Sequence, residues 1–121
     1  MTNKTFKILV ILSFFCYFSY SQQSKFNKTE WNIEADLKTY PNREKMLLDL
    51  TENNKLKGLT YKQLVEKVGE PENDNNEPYI ISYNIKSEYG NDIDPIYVKT
   101  LDFDINNDSL INNYTIKEHK H

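Results

Sequence analysis

The sequence predicts an α+β domain: two short helices packed on one face of a three-stranded antiparallel sheet, in the order ααβββ. Three observations carry this reading. Leu56 to Pro71 spells out a short helix with its start and stop signals. Just upstream, Arg43 to about Asn53 carries the same helical apolar spacing. After Pro78, apolar and polar residues alternate through three consecutive runs. Amphipathic helices followed by sequential strands favour a meander with the helices on one side.

The first 21 residues read as an export signal. Lys4 and Lys7 supply a positive start, and Ile8 to Tyr20 is almost wholly apolar. Ser19-Tyr20-Ser21 offers small residues at the −3 and −1 positions, which places cleavage before Gln22. The apolar run is shorter than the roughly 20 residues a spanning helix needs, so no transmembrane span is expected in the mature chain. Cys16, the sole cysteine, lies in this segment behind Phe14-Phe15. A lipid-attachment cysteine normally follows a small residue, so no lipid anchor is expected. Without Cys16 the mature chain has no thiol or disulfide chemistry. The expected division is a signal peptide (1–21), an extended N-terminal arm (22–40) and the ααβββ domain (41–121).

There are 15 cationic and 18 acidic residues, a formal net charge of −3. Loss of Lys4 and Lys7 makes the mature chain more acidic still. That balance argues against nucleic acid, whose affinity comes from neutralising phosphates, and against docking on anionic lipid.

In the arm, Trp31, Ile33 and Leu37 alternate with polar residues, which suggests an extended segment laid against the domain. Pro41 sets the entry to the first helix, with Asn42 as its cap. Met46, Leu47 and Leu50 form that helix's apolar face, and Glu44, Lys45, Asp49 and Glu52 its wet face. In the second helix, Thr60 and Gln63 make a capping box, with Leu59 and Leu64 as the hydrophobic staple. Leu64, Val65 and Val68 form the stripe. Gly69, in a left-handed conformation, and Pro71 end it. Two helices joined this closely should pair.

Glu70 to Pro78 is a polar loop. In the next strand Tyr79, Ile81, Tyr83 and Ile85 share a face. Ser87 to Pro95 reads as a loop, and Ile96 to Ile105 as a strand with Tyr97, Leu101, Phe103 and Ile105 on one side. After a turn at Asn106 to Ser109, Leu110, Tyr114 and Ile116 alternate along the last strand, with Ile111 and Thr115 opposite.

Gly58-Leu59-Thr60, Gln63, Val65 and the closing Val68-Gly69-Glu70-Pro71 resemble the "Gly-Met-Thr … Gln-Val … Leu-Gly-x-Pro" signature of the SmpA/OmlA (BamE-like) family. Leu59 stands for the usual Met and Val68 for the Leu. The resemblance runs over roughly 43–117. It implies a small envelope protein with two helices on a three-stranded antiparallel sheet, and it carries no catalytic residues.

Few constellations could carry chemistry. From Asp104, the Asp-x-Asn-x-Asp pattern matches the opening of a calcium loop, but Ser109 stands at the glycine position and Thr115 at the bidentate acid. An Asn/Asp turn satisfying local backbone is the better reading, and no metal is expected. His119 and His121 sit at the terminus, far from any nucleophile, and Ser82 has no base to activate it. Glu88, Asp92 and Asp94 share one loop with no apolar pocket to raise a pKa. Three glycines in all leave no phosphate-cradling loop. No cofactor and no catalytic set is therefore expected.

The candidate interaction surface is aromatic: Tyr79, Tyr83, Tyr97 and Tyr114 on or beside the strands, together with Trp31. Amphipathic aromatics suit protein interfaces and sugar stacking, yet also suit a core whose hydroxyls reach the edge. For Trp31 the alternative to stacking a ligand is stapling the arm to the core. The resemblance implies a non-enzymatic exported binding or scaffolding domain of the bacterial cell envelope, with an envelope protein as partner. From the residues, the competing reading is a secreted inhibitor-like or small-ligand-binding domain using the tyrosines and the acidic loop.

Overall fold

The computed structural model describes residues 23–72, 80–91 and 93–121. The predicted helices, here α2 (Arg43–Asn53) and α3 (Tyr61–Val68), precede β1 (Ile80–Tyr89), β2 (Pro95–Ile105) and β3 (Ile111–Lys120). The strands form an antiparallel sheet in the order β1-β2-β3. The α+β architecture is therefore the expected one.

α3 is built as its residues dictate. Thr60 Oγ1 accepts from the Gln63 N–H (3.2 Å), and Gln63 Oε1 accepts from the Thr60 N–H (2.9 Å). Gly69 ends the helix, but with φ 115° and ψ 176°, an extended backbone of positive φ rather than the left-handed turn expected. The reason is Asn32, whose side chain reaches in from the arm and donates to the Val68 carbonyl (2.8 Å). A Cβ on Gly69 would lie 2.6 Å from that side chain. α2 buries Met46, Leu47 and Leu50 as expected. Asn42 does not cap it through its side chain, which instead donates to the Glu30 carbonyl (3.2 Å).

The arm departs from the extended form. Asn27 Oδ1 accepts from the Glu30 N–H, starting a single helical turn, α1 (Lys28–Trp31). A 3₁₀ turn follows at Asp36–Lys38. Ile33 and Leu37 are exposed, so their alternation with Trp31 does not mark a strand. Burial of the Trp31 indole decides the local shape. α1 packs against both α2 and α3, whereas those two make little contact with each other: the expected helix pairing is replaced by the arm, which stands between them. Two further bonds hold it: the Ser24 N–H donates to Lys45 O, and the Phe26 N–H to Asp49 Oδ2 (2.7 Å).

The core joins Trp31, Met46, Leu50, Leu64 and Val68 to Ile81, Tyr83, Leu101 and Phe103 on the sheet. Edge-to-face ring contacts link Phe26, Trp31, Tyr83 and Phe103 in series from arm to central strand. β1 outruns its expected end: Ser87 to Tyr89 are strand, Tyr89 pairs with Pro95, and only 90–94 make the connection. A proline is tolerated at a strand's first residue.

Two bulges set which side chains face the helices. Ile85 is an extra residue between the pairs Asn84↔Thr100 and Lys86↔Lys99, and it stays buried. Beyond it the helix side turns polar. Lys86 lies opposite Lys99, an unfavourable pair relieved by Glu44 of α2, which reaches both (3.5 and 3.8 Å). On β3 the register jumps between Asp104↔Asn113 and Ile105↔Ile111. Strict alternation sets Ile111 opposite Tyr114; the jump brings both to the core side, and Ile111 is buried.

Thr60→Ala is expected to cost about 1 kcal/mol through loss of the cap. Gly69→Ala should cost on the order of 1–3 kcal/mol from backbone strain alone. Urea denaturation of both variants measures the order, and a Gly69→Ala protein as stable as the wild type contradicts the Asn32 contact.

Candidate functional site

The aromatic residues singled out in the sequence do not converge on a surface. Trp31 and Tyr83 are fully buried, which corrects their reading as interaction residues. Their faces are worth more in the core than in water. Tyr83 also spends its hydroxyl there, donating to the Gly69 carbonyl (2.7 Å). Tyr114 packs partly buried against the core, and half-buried Tyr97 donates to Glu118 Oε1 (2.8 Å). Tyr79 lies outside the described residues, as do Asp92 and Cys16.

What the buried aromatics surround is Arg43, the first residue of α2, with no solvent exposure. Its guanidinium carbon lies 3.6 Å from the Tyr40 ring centroid, 5.1 Å from Trp31 and 5.9 Å from Tyr83. Such stacking is favourable for a desolvated cation. Its Nε donates to the Trp31 carbonyl (3.0 Å) and Nη1 to the Asn84 carbonyl (2.7 Å). Nη1 and Nη2 together grip the Glu72 carboxylate as a fork. Glu72 Oε1 in turn accepts from the Asn84 N–H (2.8 Å). Arm, helix, loop and strand meet at this one charge. Sequence reading left Arg43 and Glu72 out. A signal existed: residues 43, 46, 47 and 50 form one helical stripe, and a cation at a helix N-terminus is disfavoured unless something specific holds it.

The face of the sheet turned away from the helices is polar at its centre. Asp102 is only 7% exposed there. Ser82 Oγ donates to its Oδ1 (2.5 Å), and Lys117 Nζ lies 3.3 Å from Oδ2. In this trio Asp102 accepts from the serine hydroxyl and its charge is countered by the lysine ammonium.

At the β2–β3 turn, Asn106 Oδ1 accepts from the N–H groups of Asp108 (3.0 Å) and Leu110 (3.1 Å). The amide oxygen that a cation would need is thus satisfying local backbone. Among the described residues, no three His, Cys, Asp or Glu side chains are grouped so as to hold a metal. Glu88 is on β1, not in a loop, and pairs with Lys86 (3.3 Å). Hollows in the described surface are lined by Asn91, Asp94, Ile96 and His121 in one case, and by Ser24, Leu48 and Asp49 in another. Neither has a tyrosine wall. The Trp31 indole N–H is buried with no acceptor among the described residues.

The sheet edges differ. On β1, both backbone groups of Asn84 are taken by the Arg43–Glu72 pair, which stands where a neighbouring strand would. On β3, Ile111 exchanges hydrogen bonds with Gly58 and Leu59 (2.8 Å each). Beyond Ile111 no described segment pairs with the outer side of β3.

Breaking a buried ion pair from one side leaves the other charge stranded. Arg43→Ala is expected to lose roughly 3–5 kcal/mol, and Arg43→Lys a large part of that, because an ammonium has neither the fork nor the flat face. A loss in Arg43→Ala below about 1 kcal/mol by chemical denaturation refutes the central role of this residue. Tyrosine titration offers a second check. The hydrogen bond to Glu118 holds the Tyr97 phenol up at about 12, and burial, with the Glu72 charge second, holds Tyr83 higher still than the usual 10.0. Both phenols stay protonated in the fold where the unfolded chain ionises, so their contribution is complete below pH 10 and is lost as pH rises through the folded values. Burial, with the Glu72 charge second, also raises Tyr40, so tyrosinate absorbance should show delayed ionisation of Tyr40, Tyr83 and Tyr97 in the native protein, and Tyr97→Phe should remove the step near 12.

Compared with family models, curated proteins and solved structures, the chain finds no match.

Proposed function

We propose that this chain is an exported, non-enzymatic binding or scaffolding domain of the bacterial cell envelope, similar to the SmpA/OmlA (BamE-like) family, and that it works through contacts with an envelope protein. One observation carries the proposal most: the buried charges are committed to fixed partners. Arg43 is spent on Glu72, Trp31 and Asn84, and Asp102 on Ser82 and Lys117. What remains on offer among the described residues is outer surface: the sheet face turned away from the helices, with its polar centre, and a strand edge. The leader-like start and the Gly-Leu-Thr to Gly-Glu-Pro motif support the address and the family likeness. No helix among the described residues is long and apolar enough to cross a membrane. The ligand-binding alternative loses part of its premise, because Tyr83 is inside the core.

The proposal is tested by isolating tagged protein from envelope extracts after mild cross-linking. A mature N-terminus at Gln22 and one co-purifying envelope protein in fixed ratio are expected. Recovery of the protein alone and freely soluble, or with its first 21 residues intact in the cytosol, overturns it.

A further inference from the structure

Among the described residues the outer edge of β1 is occupied at Asn84 by Arg43 and Glu72, whereas β3 has no partner on its outer edge beyond Ile111. Which of its residues turn their backbone outward follows from the ladder. Ile111 does, since it bonds to Gly58 and Leu59. Asn84 turns outward from β1, so its partner Thr100 turns toward β3, and Lys117 opposite Thr100 turns inward. The His121 N–H, donating to Ile96 O, agrees with that phase. Tyr114, Ile116, Glu118 and Lys120 therefore present N–H and C=O groups to the outside. An extended strand matches such a row residue by residue.

We infer that the strand which covers it is β3 of a second copy, running antiparallel about a two-fold axis at Ile116. β3 segregates its charge: Ile111 to Ile116 is uncharged, whereas Lys117, Glu118, His119 and Lys120 crowd the far end. Pairing about Ile116 sets Tyr114 against Glu118, Thr115 against Lys117 and Asn113 against His119, with no like charges opposed. Moving the axis to Lys117 or Glu118 sets that residue against itself, which is repulsive. In this register only the last residue of the second copy reaches the level of Ile111; moving the axis toward Thr115 or Tyr114 drives further residues into Gly58 and Leu59, which already hold Ile111. The remaining register also buries Ile116, 42% exposed, against its own copy. Assembly then stops at two. The edges left outermost are the two β1 strands, each occupied at Asn84 by Arg43 and Glu72.

Sedimentation of the purified protein over a range of concentrations tests this. A monomer–dimer equilibrium is expected, with hydrogen exchange at the Ile116 and Glu118 amides slowing as the dimer fills. Ile116→Lys puts two ammonium groups face to face and should raise the dimer dissociation constant by at least about ten-fold. Ile93→Lys, at a site 91% exposed in the β1–β2 connection and not on β3, should leave it unchanged. Circular dichroism and thermal unfolding of the Ile116→Lys monomer check that the fold persists. A protein monomeric at every concentration, a dimer indifferent to Ile116→Lys, or protection that appears on β1 instead of β3 each overturns the inference. So does slowing of the β3 amides only by an added extended peptide of another sequence.

Discussion

A guanidinium without access to water must have its charge answered where it stands, and much of this structure is arranged to do so. Arg43 sits at the start of α2, where the helix dipole already disfavours a cation. Its compensation comes from four separate stretches of chain: the Trp31 carbonyl, the Tyr40 ring, the Glu72 carboxylate and the Asn84 carbonyl. Only Tyr40, three residues back, is near it in sequence; the others come from 12 to 41 residues away. Each loses a partner if another moves, so the arm, the first helix, the loop and the edge strand are mutually dependent. A hydrophobic residue could fill the same volume, but it could not hold the Asn84 backbone groups in place of a neighbouring strand.

The sheet is given its character by the two irregularities in its ladder. Ile85 lets β1 keep an apolar residue in the core and then hand the helix side to Lys86. The jump before Ile111 lets β3 bury that residue and Tyr114 together. As a result the helices cover only the half of the sheet that is apolar. The other half of that side is a mesh of Glu44, Lys86, Glu88 and Lys99. The side turned away from the helices has a carboxylate, a serine and a lysine where an apolar interface would need branched aliphatics. A partner meeting this face meets polar groups first, whereas one meeting the β3 edge meets backbone.

The aromatics show how a sequence can suggest a surface that the fold withdraws. Trp31 and Tyr83 alternate with polar residues just as exposed stackers would. Alternation reports which residues share a side, not which side is covered. Here the arm, the helices and Gly69 close over them, and Tyr83 satisfies its hydroxyl on a backbone carbonyl. Arg43 and Glu72 are the reverse case. A charged residue on an apolar stripe and an acid in a polar loop are unremarkable one at a time, and 29 residues of chain separate them. Only their meeting makes a site.

By itself the sequence determined what depends on near neighbours: the capping box at Thr60, the end of α3 at Gly69, the apolar face of α2, the three strands and the α+β order. Those features rest on bonds within one turn of chain or on side-chain period, and both are readable locally. Tertiary structure alone decided the helical turn that replaces the extended arm, the bulges that choose the buried residues, and the burial of Arg43. Each of these trades local preference for a contact made far along the chain. The cost of an unpaired charge or an uncovered indole is felt only after the chain has folded around it.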